Sequence, residues 1–369
     1  MRVVITGADG FIGRNLRVRL AESAEHVVTS ITRTSPPGLL SEAVQAADVV
    51  FHLAGVNRPP NPADYDAGNA GYTADLCGVL VSAGRRAVCV FASSTQATLD
   101  NPYGRSKKAA EDALLDYAGS TGATVHLWRL TNVFGKWSRP NYNSAVATFC
   151  HNIAQGLPVV IHDPRAALRL VYVDDVVDAF VGLLRPGCPG GFHEVHPVYE
   201  TTVGEVHEII AGFASSRTSL VTGRAGAGLA RALHATYLSF LRPEAFAYEV
   251  PVHGDPRGCF VEMLKTPDCG QVSYFTAHPG VTRGGHYHHT KTEKFLVVKG
   301  VARFGFRHVV TGERADITVH GGSGRIVETV PGWAHDVTNV GPDEMVCLLW
   351  ANENFDRAKP DTIMMKVDA

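Results

Sequence analysis

Tyr103 and Lys107 stand four residues apart in Asn101-Pro102-Tyr103-Gly104-Arg105-Ser106-Lys107. The Asn-Pro pair marks a turn, and the run Ser106 to Ala118 reads as helix with few breakers. An i, i+4 spacing then sets a phenol and an ammonium on one helix face, one turn apart. A phenol with its pKa near about 10 is a poor acid at neutral pH until a neighbouring cation favours its phenolate. Paired in this way, a tyrosine gives or takes a proton while a carbonyl and an alcohol interconvert. Solvated helix faces carry the same spacing by chance, so the weight of the pair depends on the elements that precede it.

Those elements alternate strand and helix. Met1 to Ile5 is a β-branched run suited to a buried parallel strand. Thr6-Gly7-Ala8-Asp9-Gly10-Phe11-Ile12-Gly13 follows, then a helical stretch from Arg14 to Glu22. Glycines at 7, 10 and 13 allow a tight turn, close approach to a pyrophosphate, and close packing of helix on strand. The helix N-terminus formed by Gly10, Phe11, Ile12 and Gly13 then faces the phosphates. A second strand, His26 to Thr32, ends at Arg33, where an NAD site would place an acid on the ribose 2′-hydroxyl. Arg33, with Arg14 just after the loop, suits a 2′-phosphate instead, which favours NADP; the alternative is that Arg33 is simply solvated. The strand Asp48 to Leu53 leads into Leu53-Ala54-Gly55, small enough to pass beneath an adenine or ribose. The strand Val88 to Ala92 ends in Ser93-Ser94-Thr95, at the carboxyl edge where open α/β sheets bind ligands. There Ser94, with Thr95 as the substitute, can donate to a substrate carbonyl beside Tyr103; the alternative is that these hydroxyls cap a turn.

Composition narrows the field. A chain of 369 residues, 45% hydrophobic, is long enough for two domains with real cores. A net charge of −2 gives no support for a nucleic-acid partner. Seven scattered cysteines without a C-x-x-C point to reduced thiols and a cytoplasmic setting. No leader opens the chain and no apolar run is long enough for a bilayer, so no membrane partner is expected.

Residues 1 to about 240 resemble the extended short-chain dehydrogenase/reductase family. The resemblance is carried by Thr6-Gly7-x-x-Gly10-x-x-Gly13, His52-Leu53-Ala54-Gly55, Ser93-Ser94, Tyr103-x-x-x-Lys107, Arg129-x-x-Asn132-x-x-Gly135 and Arg169-x-x-x-Val173-Asp174-Asp175. It implies a Rossmann-type α/β fold with Tyr103 as proton donor, Lys107 on the nicotinamide ribose and Ser94 orienting the carbonyl. It also sets Asn132 and Arg169 against a nucleotide-sugar diphosphate, with Asn143 in the sugar pocket. Arg169 has a second reading, an ion pair with Asp174 or Asp175. Members that dehydrate a hexose carry Asp-Glu after the hydroxyl residue, where this chain has Thr95-Gln96. Members that epimerise C4 have an acid where Arg33 stands. NADPH-dependent ketone reduction is what remains.

From about residue 245 the pattern becomes all-β, so the domains are expected at 1–244 and 245–369. Gly285-His286-Tyr287-His288-x-x-x-x-Glu293 and Pro331-Gly332-x-x-His335 match the two motifs of the cupin barrel family. Three imidazoles and a carboxylate, from His286, His288, Glu293 and His335, make an N/O site for zinc or a similar divalent ion. Asp255-x-Arg257-Gly258-x-Phe260-x-Glu262 and Arg283-Gly284-x-His286 resemble the dTDP-4-keto-6-deoxyhexose 3,5-epimerases. That resemblance implies Phe260, Glu262 and Arg283 in a sugar site and His286 as a base. A metal-bound imidazole cannot also take the proton, so the two readings of His286 compete, and the complete ligand set favours the metal.

The two halves together resemble the CapF-like family of bifunctional capsular polysaccharide enzymes. The resemblance implies a UDP-2-acetamido-2,6-dideoxy-4-hexulose substrate, inversion at C3 by the cupin, and reduction at C4 with NADPH, on the route to UDP-N-acetyl-L-fucosamine. A homodimer is expected, pairing near Phe260 to Leu264. Two alternatives stand beside this: a reductase whose cupin serves only for dimerisation or stability, and a non-catalytic scaffold that senses the cofactor.

Overall fold

Short runs rich in Val, Ile and Phe, buried on both faces, form the centre of a parallel sheet. The computed structural model describes residues 1–185, 187–255, 258–261, 264, 270–353 and 358–368. Packing divides the chain into two units, Met1–Ser144 with Leu168–Glu200, and Ala145–Ala167 with Thr201–Ala369.

The first unit contains β1 (Arg2–Thr6), β2 (Val27–Ile31), β3 (Val49–His52), β4 (Val88–Ser94), β5 (Val125–Leu130), β6 (Asn132–Phe134), β7 (Ala167–Tyr172), β8 (Gly191–His193) and β9 (Tyr199–Thr202). The sheet runs β2-β1-β3-β4-β5-β8, and every ladder in it is parallel. Helices α1 (Phe11–Ala21), α2 (Leu39–Gln45), α3 (Tyr72–Ser82) and α4 (Pro102–Thr121) connect its strands. Leu76, Leu80, Ala110 and Leu114 pack with Val4, Val50, Phe91 and Leu127 in one core. Strand order reverses between β1 and β3, which opens a crevice at their carboxyl ends.

The second unit begins with α5 (Ala145–Ala154); α6 (Val173–Gly182) belongs to the first, and α7 (Val203–Ser219) and α8 (Gly228–Leu238) to the second. Its strands are β10 (Ala247–Glu249), β11 (Val252–Asp255), β12 (Gly258–Val261), β13 (Gln271–Ala277), β14 (Thr282–Tyr287), β15 (Glu293–Lys299), β16 (Val301–His308), β17 (Arg314–His320), β18 (Arg325–Glu328), β19 (Trp333–Asn339), β20 (Met345–Ala351) and β21 (Ile363–Met364). They form antiparallel sheets ordered β10-β18-β15-β20-β13 and β17-β16-β19-β14-β21, beside a β11–β12 pair. From β13 to β16 each successive strand changes sheet, and the sheets face one another: Phe295 and Phe304 meet across the gap with ring centroids 5.5 Å apart. Side chains alternate along β15, so Glu293 and Lys294 face opposite sides. Lys294 donates to Tyr248 Oη at 2.8 Å and pairs with Glu328 at 3.3 Å, which Arg217 also meets at 3.1 Å.

The change in composition near 244/245 marks where strands take over from helices. Packing cuts the chain elsewhere, because α5, α7 and α8 group with the carboxyl-terminal strands. Cys77, Cys89, Cys150, Cys188 and Cys347 are free thiols. Among the described residues no helix is long and apolar enough to cross a membrane.

Candidate functional site

The crevice is built by glycines that tolerate no side chain. Gly7 has φ +69°, and a Cβ there would lie 2.6 Å from Ala54 N. A Cβ on Gly13 would lie 2.3 Å from Gly7 O, so α1 seats directly on the turn. Gly10 N donates to Gly7 O at 2.9 Å, and Gly10 caps α1 without any side-chain acceptor. The first-turn amides of Phe11, Ile12 and Gly13 thus head a helix dipole that an anion would complete. Arg14 Nε donates to Asp9 O at 2.9 Å, and Arg17 pairs with Asp9 at 2.7 Å. Arg33 is exposed beyond the end of β2.

Helix α4 starts where the sequence places it. Asn101 accepts from Gly104 N at 2.8 Å, Pro102 occupies the first turn, and Gly122 closes the helix at φ +69°. A Cβ on Gly104 would lie 2.2 Å from Gln96 O, so the first turn of α4 presses on the turn Thr95–Thr98. That contact brings Tyr103 beside Ser94, whose hydroxyl acts to lower the phenol's pKa. Ser94 also accepts from Gln96 N at 3.2 Å, so it caps a turn and faces the phenol at once. Lys107 is buried, donates to Ala92 O at 2.7 Å, and lies 4.2 Å from the centroid of Phe91. A Cβ on Gly55 would lie 4.0 Å from Lys107 Nζ and 2.8 Å from Asn69 Oδ1, so the Leu53-Ala54-Gly55 turn covers the ammonium.

Burial pushes Lys107 down to about 7, with Glu111 opposing the fall. Burial raises the Tyr103 phenol, the Ser94 hydrogen bond works against this, and Tyr65 and Tyr142 add to it. The sequence leads one to expect the lysine to lower this phenol. Lys107 instead turns its proton toward the main-chain carbonyl of Ala92. The Tyr65 and Tyr103 rings stand 5.6 Å apart, and Tyr142 Oη accepts from Arg58 N at 3.2 Å.

The expected substrate residues are more dispersed. Asn132 is exposed and donates to Arg169 O at 3.2 Å. Arg169 is exposed and lies 3.6 Å from Glu200, a partner distinct from the two acids weighed for it, while Asp174 pairs with Lys136. Asn143 is exposed in the loop before α5. Arg283, on β14, donates to Thr276 O at 2.7 Å. The backbone of Phe260 pairs with His253 in the β11–β12 ladder. Its side chain, and all of Glu262, lie outside the described residues.

In the second unit His286, His288, Glu293 and His335 bring one ligand atom each within 4.8 Å of one another. His286 on β14 pairs with His335 on β19, just past a bulge at Gly284. His288 Nε2 lies 3.4 Å and His335 Nε2 3.5 Å from Glu293 Oε2, and Lys291 Nζ lies 3.0 Å from Glu293 Oε1. His335 Nδ1 faces Trp333 O at 3.4 Å, and its buried Nε2 has no hydrogen-bond partner among the described residues. A carbonyl only accepts, so this contact puts the proton on Nδ1 and leaves Nε2 free as a ligand. Burial, then His335 and His288, push His286 down to about 3. Burial opposes the charge of Glu293, yet His288 and His335 hold its carboxyl well below the usual range. Three imidazoles around a carboxylate could hold a divalent ion.

Comparison with known proteins agrees with both halves. Residues 3–191 match the NAD dependent epimerase/dehydratase family, and residues 253–363 match the polysaccharide biosynthesis C-terminal domain. A UDP-2-acetamido-2,6-beta-L-arabino-hexul-4-ose reductase of Pseudomonas aeruginosa is 54% identical over 368 residues, covering 100% of this chain and 99% of that one. The crystal structure of the capsular polysaccharide assembling protein CapF from Staphylococcus aureus superposes with a TM-score of 0.69 at 39% identity, covering 100% of both chains. This chain belongs to the CapF-like branch of the NAD dependent epimerase/dehydratase family. A GDP-6-deoxy-D-mannose reductase of Pseudomonas aeruginosa is a more distant relative, 26% identical over 60% of this chain and 82% of its own.

Two residues of this CapF-like chain escape a reading of motifs. Glu111 is fully buried, accepts from Ser93 Oγ at 2.5 Å, and meets Arg129 through two bonds of 3.0 and 2.7 Å. Its signal was an acid one turn beyond Lys107, amid alanines. Asn69, in a π-helical turn before α3, bonds Val56 N at 2.9 Å and Ser106 Oγ at 2.9 Å. Nothing in its local sequence marks it.

Proposed function

We propose that this chain is an NADPH-dependent nucleotide-sugar 4-ketoreductase joined to a cupin that inverts C3 of the same sugar. Residues 1–244 would serve reduction, and residues 245–369 the epimerisation. The substrate would be a UDP-2-acetamido-2,6-dideoxy-4-hexulose, as the name of the 54% identical relative suggests, and the product would lead toward UDP-N-acetyl-L-fucosamine for surface polysaccharide. One observation carries the reductase reading: Tyr103 lies beside Ser94 at the start of α4, one helical turn from a buried lysine that the Gly55 turn covers.

The glycine turn and the N-terminus of α1 fit a pyrophosphate, and Arg33 fits a 2′-phosphate. NADPH, when bound, supplies the hydride. Ser94 orients the C4 carbonyl, Tyr103 gives its proton to the carbonyl oxygen, and Lys107 favours the resulting phenolate.

The strands that change sheet from β13 to β16 support a cupin, and the His286, His288, Glu293, His335 set supports a divalent metal, zinc by its ligands. Such an ion would stabilise charge on an enolate oxygen. Epimerisation must precede reduction, because a C3 proton is acidic only while C4 is a ketone. The chain would act as a homodimer.

The test omits NADPH and follows deuterium from heavy water into C3 of the 4-hexulose by mass spectrometry. The expected result is exchange that His335→Ala abolishes and Tyr103→Phe retains. NADPH consumption without any exchange would leave a reductase whose cupin serves only for dimerisation or stability. Loss of neither activity in Tyr103→Phe would sink the reductase reading.

A further inference from the structure

A short segment near the carboxyl terminus holds the strand and loop that carry the metal ligands. Asp361 accepts from three successive main-chain amides, His289 N at 2.9 Å, Thr290 N at 2.7 Å and Lys291 N at 2.7 Å, and from Thr290 Oγ1 at 3.1 Å. Its own main-chain carbonyl takes His288 Nδ1. Two residues on, β21 adds to the edge of β14, with Met364 opposite His286 and Ile363 opposite Tyr287. Met365 N then donates to Gly285 O at 2.9 Å. Asp361 to Met365 therefore touches every residue from Gly285 to Lys291 in turn.

The chemistry of these bonds is specific. Because a carbonyl only accepts, the Asp361 main chain fixes a proton of His288 on Nδ1 and aims Nε2 into the cluster with Glu293 and His335, where it could ligate an ion. Three amides converging on one carboxylate fix the path of residues 289–291, and so the offset between His288 and Glu293. A side chain without an acceptor oxygen at position 361 would leave those amides unpartnered in a loop where Thr290 and Lys291 are buried.

We propose that Asp361 is a positioning residue for the metal: it sets the tautomer and reach of His288 through its carbonyl and locks the 289–291 turn through its carboxylate. This rests on the metal reading given under Proposed function. Groups of this kind, one bond removed from the ion, typically change metal affinity by about 10- to 100-fold.

The experiment uses the full chain, stripped with a chelator and titrated with cobalt(II) against a chromogenic competitor. Wild type should take up one equivalent and show visible d–d bands. Asp361→Ala should bind about 10- to 100-fold more weakly, with shifted bands. Asp361→Asn, which keeps one acceptor oxygen, should recover part of the affinity and spectrum. NADPH affinity serves as the folding control and should stay at the wild-type value in both variants. Wild-type affinity and an unshifted spectrum in Asp361→Ala would overturn the inference while leaving the metal site standing. No cobalt uptake by wild type would remove the metal reading itself, and the inference with it. If Asp361→Ala fails the control, Asp361→Asn decides alone: affinity equal to wild type counts against the inference.

Discussion

Glu111 and Arg129 form a two-bond ion pair one helical turn beyond Lys107, with Nε–Oε1 at 3.0 Å and Nη2–Oε2 at 2.7 Å. Ser93 donates to the same carboxylate, and it lies between Ala92, whose carbonyl holds Lys107, and Ser94, which meets Tyr103. The pair therefore ties α4 to the end of β4 beside Lys107 and Ser94.

Glu111→Gln is expected to change both chemistry and stability. Burial brings the Lys107 ammonium down to about 7, and the negative charge of Glu111 holds it from falling further. In the proposed mechanism reduction would use that ammonium, so activity should fall as pH rises through the lysine's value. Removing the charge lowers that value, and the basic limb of kcat/KM should move to lower pH. Breaking one side of a buried pair should also destabilise the protein by about 3–5 kcal/mol, with Glu111→Leu/Arg129→Met recovering much of it. A basic limb that stays in place would show that Glu111 acts on stability alone.

Tyr103→Phe removes the proposed proton donor while keeping the ring against Tyr65. Ketone reduction should fall by about 10²- to 10⁴-fold, the range for a positioned general acid. NADPH binding, measured by fluorescence titration, should be unchanged. A loss confined to KM would assign the phenol to binding.

The parts of both sites that sequence made legible are those whose chemistry lies within a few residues. Tyr103 and Lys107 needed only the helical period, the glycines of 7 to 13 only a strand–helix junction, and His286 and His288 only strand alternation, while Glu293 came with the motif spacing. His335 was within reach because its Pro-Gly turn travels with it. Glu111 and Arg129 are 18 residues apart, on a helix and a strand, and their pairing depends on how α4 lies across the sheet. Asp361 reaches an amide 72 residues away from a stretch after Pro360 that has no period of its own. The electrostatics of Tyr103 were hidden for a related reason: the direction of its shift depends on burial and on where Lys107 sends its proton.

Arg33 stands exposed at the end of β2, where a 2′-phosphate would lie beside the glycine turn. Arg33→Ala should raise KM for NADPH by about 10- to 100-fold, the worth of one charge-assisted hydrogen bond of about 1.5–3 kcal/mol. KM for NADH should not move, because that cofactor offers no phosphate there. Initial rates with each cofactor at saturating sugar check this, and equal effects on both would make Arg33 a solvated residue.

His52 sits beneath the cofactor turn and should give the fold a measurable acid sensitivity. It is fully buried at the end of β3, with Nδ1 2.7 Å from Thr6 Oγ1, Nε2 2.8 Å from Thr73 Oγ1, and its ring stacked on Phe91 at 5.2 Å. Burial, and then Lys107, push it from 6.5 down to about 3. Between those values the unfolded chain binds a proton that the folded chain refuses, so stability rises with pH across this window. The contribution is complete above about 6.5 and is lost as pH falls toward about 3. From pH 7 to pH 5 it should fall by about 2 kcal/mol, the part of the linkage that lies in that interval. Urea unfolding of the full chain at both pH values measures it, and His52→Gln should lose about 2 kcal/mol less than wild type over the same step. Equal losses in the two proteins would place the acid sensitivity in other histidines and leave His52 as a packing residue between Thr6 and Thr73.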